Sequence, residues 1–405
     1  MVFSRFMPPV HVRGTFWQIA GMIRFVFAAA LTLTPATVMA QDMGRFLQSV
    51  RGEATALGIS SATFDSATRG LTIDPSIAKL TKRQPELVKP IGAYIERRVD
   101  NLAKSGAGKM RAQLSVFSRI ERSFGVDPYV VAAIWGMETG FGGNIGKSDV
   151  FRSLATLAAQ KYRGDFFRGQ FLDALLILET EGLPRSRFVG SWAGAMGQTQ
   201  FIPSSYISFA VDFDGDKKRD VWRSVPDALA STANYLRQKG WVAGQPWGMA
   251  VQWPAGRARE ARTQSWADWR QAGAKPLGGA SYPRQGEATS FFPAGAEGPA
   301  FLITPNYDVI RDYNSSDSYS LSVALTADRL RGGPGVNLRW PTARTLNRKQ
   351  RLAIQAALRA KGHRLSNDSG RITRDVRAAI AAEQRRVGVL ADGYPDEELL
   401  RQLTR

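Results

Sequence analysis

The sequence predicts a mainly helical (α+β) protein: a large helical body interrupted by a small strand-rich insertion, followed by a three-helix unit. Three observations carry that reading. Through most of residues 41–240, apolar side chains recur at i, i+3, i+4 and i+7, the period of one helix face. From Val242 to about Ile310 the pattern changes to Pro, Gly and short runs such as M249-A-V-Q-W and A300-F-L-I-T, as strands require. R331-G-G-P-G335 then interrupts the chain, and the roughly 65 residues that follow are too few to share a large core. With 405 residues, 44% of them hydrophobic and 22% charged, one sizeable core and one small one are expected.

At the start of the chain, Arg5, Arg13 and Arg24 precede F25-V-F-A-A-A-L-T-L-T34 and P35-A-T-V-M-A40. This is the build of a secretory leader, with small residues at a cleavage position after Ala40; Met22 offers a second start with a shorter leader. The apolar run is shorter than the roughly 20 residues of an anchor, so export to the periplasm with removal of residues 1–40 is expected. From Gln41 to about Gly125, F46-L-Q-S-V-R-G-E-A, S76-I-A-K-L and P90-I-G-A-Y-I-E-R-R-V-D-N-L-A are amphipathic helices without evident chemistry. L154-A-T-L-A-A-Q-K-Y162 and F166-F-R-G-Q-F-L-D-A-L-L-I-L-E179 are core helices, and V225-P-D-A-L-A-S-T-A-N-Y-L-R-Q-K-G-W241 ends at Gly240. The segment Y307–L330 returns to helix, with Ser315 or Ser316 as its cap. L346–G362, I372–R386 and P395–L403 supply three terminal helices, with turns at Asp368–Gly370 and Asp392–Gly393. The expected division is a leader at 1–40, a main domain at 41–332 with its insertion at about 243–310, a linker at 333–344 and a terminal domain at 345–405.

Composition excludes whole classes of chemistry. The net charge is +19, and the leader takes three arginines and no acid from it. So strong a positive field suits polyanions, but an exported protein meets anionic lipid and cell-wall glycan before nucleic acid, which is not expected as a partner. The chain has no cysteine, which removes disulfides, thiol nucleophiles, zinc thiolates and a lipidated N-terminal Cys. His11 and His363 are its only histidines. A Ser-His-Asp triad, a Cys-His pair and a His-ligated zinc are therefore excluded for the stretch between them, where acid-base work falls to carboxylates, Tyr or Lys.

One carboxylate stands out. D127-P-Y-V-V-A-A-I-W-G-M-E-T-G140 opens with an N-cap Asp and a first-turn Pro and closes on Gly. Val131, Ile134, Trp135 and Glu138 share one helix face, so Glu138 is expected on an apolar stripe, in the last turn, where the helix dipole is negative. Both surroundings favour a protonated carboxyl and make Glu138 a candidate general acid. The plain alternative is a helix end with its Glu turned to solvent.

Two loops carry further candidates. F188-V-G-S-W-A-G-A-M-G-Q-T-Q-F-I-P-S-S-Y206 lies in a stretch without charge from Phe188 to Val211 and is rich in amides and aromatics, including Ser191, Trp192, Gln198, Gln200 and Tyr206. Such a loop suits a neutral polyhydroxylated ligand, which wants hydrogen bonds and a flat apolar face; a tightly packed turn is the competing account. D212-F-D-G-D-K-K-R-D220, with Asp227 beyond it, alternates carboxylates in the manner of a calcium loop. Gly215 is not where an EF-hand has its glycine, and Lys217, Lys218 and Arg219 offer ion pairs instead.

E138-T-G-F-G-G-N-I-G, K161-Y-R-G-D-F-F, S191-W-A-G-A-M-G-Q-T-Q-F-I-P-S-S-Y, D212-F-D-G-D-K-K-R-D-V-W, N234-Y-L-R-Q-K-G-W and Y313-N-S-S-D-S-Y together resemble the membrane-bound lytic murein transglycosylase B family across about residues 42–332. D368-S-G-R-I-T-R-D-V-R-A-A-I and G388-V-L-A-D-G-Y-P resemble the peptidoglycan-binding domain type 1. The resemblance implies a lysozyme-like helical core that cleaves the MurNAc-GlcNAc β-1,4 bond without water and leaves 1,6-anhydromuramoyl ends, in cell-wall turnover. It implies Glu138 as sole catalytic carboxylate, acid and then base, and Tyr162, Ser191, Gln200, Tyr235, Tyr313 and Asn314 along the glycan cleft. It also implies an optional structural calcium held by Asp212, Asp214, Asp216 and Asp227, with no cofactor required. Here Lys218 replaces a usual ligand and the spacing to Asp227 is stretched. The implied partners are peptidoglycan glycan strands and cell-wall synthesis proteins, with the enzyme itself a monomer; the missing N-terminal Cys departs from the lipoprotein form and argues for a soluble periplasmic enzyme. A hydrolytic muramidase and a non-catalytic wall-binding protein are the alternatives.

Overall fold

The computed structural model describes residues 35–81, 90–341 and 346–404. Of the expected leader, residues 1–34 lie outside the described residues, as do residues 342–344 of the expected linker and residue 345 at the start of the expected terminal domain. The helical body begins with α1 (Pro35–Ala56), α2 (Ser61–Thr68), α3 (Ile77–Leu80), α4 (Ile91–Ala112) and α5 (Leu114–Phe124). In α5, Val116, Phe117 and Ile120 fall at helical spacing and are buried, each contributing about 1.5–3 kcal/mol, and the helix stops at Gly125 in the left-handed region.

Then come α6 (Pro128–Thr139), β1 (Ser148–Asp149), α7 (Val150–Ala159), α8 (Phe166–Thr180), β2 (Val189–Gly190), α9 (Pro203–Phe209) and α10 (Val225–Gln238). α6 begins and ends as its local signals predict. The Asp127 side chain accepts from the Tyr129 amide, Pro128 is its first residue, and Gly140 closes it with a φ of 60°. The expected single apolar face is corrected: Val130, Ala132, Ala133 and Gly136 are buried along with Val131, Ile134 and Trp135. A helix apolar all round belongs at the centre of a core.

The insertion contains β3 (Gly248–Gln252), β4 (Thr263–Ser265), α11 (Trp266–Gln271), β5 (Lys275–Pro276), β6 (Glu287–Phe291) and β7 (Ala300–Ile303). Its sheet runs β4-β6-β7-β3-β5, with every neighbouring pair antiparallel. The alternation of strands divides its side chains: Ala250, Phe301 and Ile303 join the main core, whereas Met249, Val251 and Leu302 pack with Trp266, Trp269 and Phe292. α12 (Pro305–Tyr313) and α13 (Asp317–Leu330) follow as two helices, with Ser316, not Ser315, capping the second. α13 lies along both α4 and α6, so its first turn reaches the last turn of α6.

The terminal unit is α14 (Arg348–Ala360), α15 (Arg374–Arg386) and α16 (Glu397–Thr404), around Leu346, Ile354, Leu358, Val376, Ile380, Leu399 and Leu403. It has a core of its own and is also docked on the body. The Ala261 amide donates to the Ala391 carbonyl at 3.0 Å and the Ala296 amide to Asp392 Oδ2 at 3.0 Å. Among the described residues, no helix is long and apolar enough to cross a membrane.

Candidate active site

Glu138 occupies the last turn of α6, half-buried, just beyond the segment that is buried on all sides. The Tyr319 hydroxyl, from the first turn of α13, donates to Glu138 Oε1 at 2.6 Å. Tyr319 is 3% exposed, and burial first, then the charge of Glu138, pushes its hydroxyl well above the ordinary tyrosine range. It therefore stays a neutral donor over the whole working range of pH.

The 190–201 loop is tied to the same helix end. Trp135 Nε1 donates to Gln198 Oε1 at 3.0 Å, and the Thr139 hydroxyl donates to the Gln198 carbonyl at 2.6 Å. The loop folds back through bridges from Gly190 to Met196 and from Met196 to Phe201. Its compactness depends on glycine at Gly190, where a Cβ would collide with the Ala195 carbonyl oxygen, and at Gly197, where φ is 71° and the Val221 backbone is adjacent. The competing account of this loop as a tightly packed turn is thus correct for its backbone. Gln198, fully committed to Trp135, Thr139 and the Trp222 carbonyl, is part of that scaffold.

Of the residues expected along the cleft, Tyr313 meets the Glu138 neighbourhood most directly. Burial and then the Glu138 charge raise its hydroxyl well above the ordinary value, and that hydroxyl donates to the Thr199 carbonyl at 2.6 Å. Tyr235 packs edge-on against Tyr313 with ring centroids 5.0 Å apart, is 8% exposed and donates to the Asp312 carbonyl at 2.7 Å, so it backs the wall formed by Tyr313. Gln200 is a non-glycine residue in the left-handed region, with φ 56°, and its amide donates to the Ile145 and Gly197 carbonyls at 3.1 and 2.9 Å. Backbone strain of this kind persists only where the surroundings enforce it. Ser191 Oγ accepts from the Ala193 and Ala195 amides at 3.3 and 3.0 Å, and Asn314 ends α12 in extended conformation. Tyr162 stands on the α7–α8 turn, half-buried on Phe167 at 5.7 Å with the Arg163 guanidinium 5.4 Å from its ring. Tyr319 was not singled out by sequence reasoning. Its only local signal was an aromatic in Y313-N-S-S-D-S-Y on the inward side of a capped helix.

A second cluster lies apart from this one. Asp212, Asp214, Asp216 and Asp227 each offer a carboxylate oxygen within 4.8 Å of the others, three exposed and Asp227 fully buried. Burial first, relieved in part by the Phe213 amide and reinforced by the Asp214 charge, pushes Asp227 up to about 6. Backbone amides organise the loop: Gly215 and Lys217 donate to Asp212 at 2.7 and 2.8 Å, and Lys218 to Asp216 at 2.8 Å. The stretched spacing to Asp227 is therefore closed by folding, and the converging hard oxygen donors fit a calcium ion.

Residues 42–328 match the family model described as the transglycosylase SLT domain, and residues 347–403 match the model of a peptidoglycan binding domain. The chain belongs to the transglycosylase SLT domain family. It is similar to membrane-bound lytic murein transglycosylase B of Escherichia coli (strain K12), 37% identical over 161 residues, and the match spans 38% of this chain and 44% of that relative. SltB3 from Pseudomonas aeruginosa, solved with NAG-anhNAM-pentapeptide and with NAG-NAM-pentapeptide, is 41% identical with a TM-score of 0.78, covering 90% of this chain and 100% of SltB3. The Escherichia coli lytic transglycosylase Slt35, solved with calcium, is 24% identical with a TM-score of 0.59, covering 72% of this chain and 92% of its own; at that identity it shows the fold alone.

Proposed function

We propose that this chain is a peptidoglycan lytic transglycosylase that cleaves the MurNAc-GlcNAc β-1,4 bond with Glu138 as the acid and then the base. The observation that carries this reading is the hydrogen bond from the neutral, buried Tyr319 hydroxyl to Glu138 Oε1 at 2.6 Å. It orients the carboxyl while leaving its proton free to move. Glu138 protonates the departing glycosidic oxygen as the C1–O bond breaks. The C6 hydroxyl of the muramoyl sugar then bonds to C1 and returns its proton to Glu138, so the ring closes without water. An ordinary glycosidase needs a second carboxylate about 5–10 Å away. The well-placed acids elsewhere have other duties: Asp317 is paired with Arg311 and Arg377, and Asp227 accepts from three backbone amides. The SltB3 complexes with anhydro and non-anhydro muropeptides support the same substrate class here.

Tyr162, Ser191, Gln200, Tyr235, Tyr313 and Asn314 belong to this proposal as glycan-facing or wall-forming groups, and the terminal unit as a glycan-strand anchor. Export to the periplasm by residues 1–40 belongs to it as well. Digestion of sacculi followed by mass spectrometry tests the chemistry. Anhydromuramoyl products support it, products heavier by one water establish a hydrolase, and no cleavage leaves a wall-binding protein.

Calcium at Asp212, Asp214, Asp216 and Asp227 would supply charge neutralisation to the 212–227 loop and takes no part in the bond cleavage. Added calcium is expected to raise the melting temperature by several degrees over the EDTA-treated protein, in line with binding to the folded state only. Asp227→Asn should lose that increment, and equal melting in calcium and EDTA would remove the site.

A further inference from the structure

The corner between α12 and α13 presents two tyrosines toward the active site and an ion-pair cluster away from it. Arg311 precedes Tyr313 by two residues, and Asp317 precedes Tyr319 by two. Arg311 Nε lies 3.1 Å from Asp317 Oδ1, so the pair staples the corner from behind. The second partner of Asp317 comes from the terminal unit: Arg377 of α15 reaches across the domain boundary and its Nη2 pairs with Asp317 Oδ2. Both side chains are nearly shielded, at 12% exposure for Arg377 and 14% for Asp317. The Arg377 guanidinium also lies 4.8 Å from the Phe291 ring of the insertion.

The surrounding charges show why the body does not complete this cluster alone. Arg311 is shared, lying 3.8 Å from Asp308 while donating through Nη2 to the Ile372 carbonyl at 2.6 Å. Asp308 in turn receives Arg374 of α15 at 3.0 Å. Two acids of the body, Asp308 and Asp317, therefore have one arginine of their own and two supplied by α15. A shielded carboxylate left short of a cation must either move toward water or take up a proton, and either shifts the first turn of α13.

We propose that Arg377 is a positioning residue for the active site, holding Asp317, and with it the first turn of α13 and the Tyr319 hydroxyl, in place against Glu138. The proposal rests on the assignment of Glu138 made above. It makes docking of the terminal unit a requirement for full turnover, beyond any tethering to the wall.

The test uses the full chain with Arg377→Ala, Arg377→Lys and Arg385→Ala, all assayed on the same sacculi beside the native protein. Arg385 crosses the same boundary, to the Ala261 carbonyl at 3.1 Å, without touching Asp317. Arg377→Ala is expected to lower kcat about tenfold to a hundredfold, the cost of a misplacement near 1 Å, with KM little changed and the acidic limb of the pH–rate profile displaced. Arg377→Lys should recover part of the rate, and Arg385→Ala should match the native protein. Native kcat and pH profile in Arg377→Ala, or a loss confined to KM, overturns the proposal, as does an equal loss in Arg385→Ala. If Arg377→Ala does not fold, Arg377→Gln takes its place, removing the cation while Asp317 keeps its charge, and a native pH profile and kcat in that protein overturns the proposal equally. A native protein that yields no anhydro products fails the assignment of Glu138 first, and the proposal falls with it.

Discussion

The end of α6 holds a half-buried acid and the start of α13 a nearly shielded one, and the two receive different kinds of donor. Glu138 receives a neutral hydroxyl from Tyr319, whereas Asp317 is flanked by the guanidinium groups of Arg311 and Arg377. Burial pushes the Asp317 carboxyl up, but the two arginines outweigh it and hold the group below the usual aspartate range. A unit charge at 4 Å in an effective dielectric of about 20 is worth about 4 kcal/mol, which a neutral donor does not approach. The Tyr319 hydroxyl brings no charge to Glu138, whereas the two arginines hold the Asp317 charge in place. With Glu138 as the proposed acid, the difference separates the group assigned to chemistry from the one that serves architecture, although the two sit at the contact of the same pair of helices.

The comparison breaks first at Glu138. Glu138→Gln should lower glycan cleavage by about 10²–10⁴-fold or more, since the amide cannot donate and retrieve the proton, while leaving the melting temperature within a degree or two. Retained activity in a folded variant would end the assignment. Asp317→Ala strands two shielded arginines and is expected to cost about 3–5 kcal/mol in a urea denaturation series, far more than Glu138→Gln. Tyr319→Phe sharpens the contrast further. Loss of one neutral hydrogen bond should cost no more than about 1.5 kcal/mol of stability, yet lower kcat about tenfold by freeing the Glu138 carboxyl to rotate.

The smallest effect concerns a third kind of acid. Asp328 accepts from Trp247 Nε1 at 3.1 and 3.2 Å, and burial, only partly offset by that bond, pushes it up to about 6. Its folded value lies above that of an ordinary aspartate, so its contribution is complete at low pH and is lost as pH rises through about 6. The melting temperature of the native protein should therefore fall relative to Asp328→Asn between about pH 4 and pH 7. A constant difference across that window would show that Asp328 does not titrate there.

Sequence alone located α6 and Glu138 because the signals are local: an N-cap Asp, a first-turn Pro and a terminal Gly act within a few residues of the helix they bound. Its amphipathic pattern misled, since Val130, Ala132 and Ala133 are small or apolar enough to lie on any face, and it is packing against α4, α5, α10 and α13 that buries them all. Tyr319 escaped notice because it lies 181 residues from Glu138, and nothing in its own segment states what it meets. The same holds for Arg377, 60 residues beyond Asp317 and past a linker. The aspartate loop was partly legible. Alternating acids were visible, but the approach of Asp227 depends on amides of Phe213, Asp214 and Asp220 folding around it.

The burial of α6 on every side has a consequence for how this molecule opens. Amide groups in such a helix exchange with solvent only when the whole body comes apart, whereas those of exposed turns exchange through small local fluctuations. Glu138 thus rides on the segment expected to be last to lose its protons to deuterium, and the 190–201 loop, anchored to it through Gln198, shares that protection.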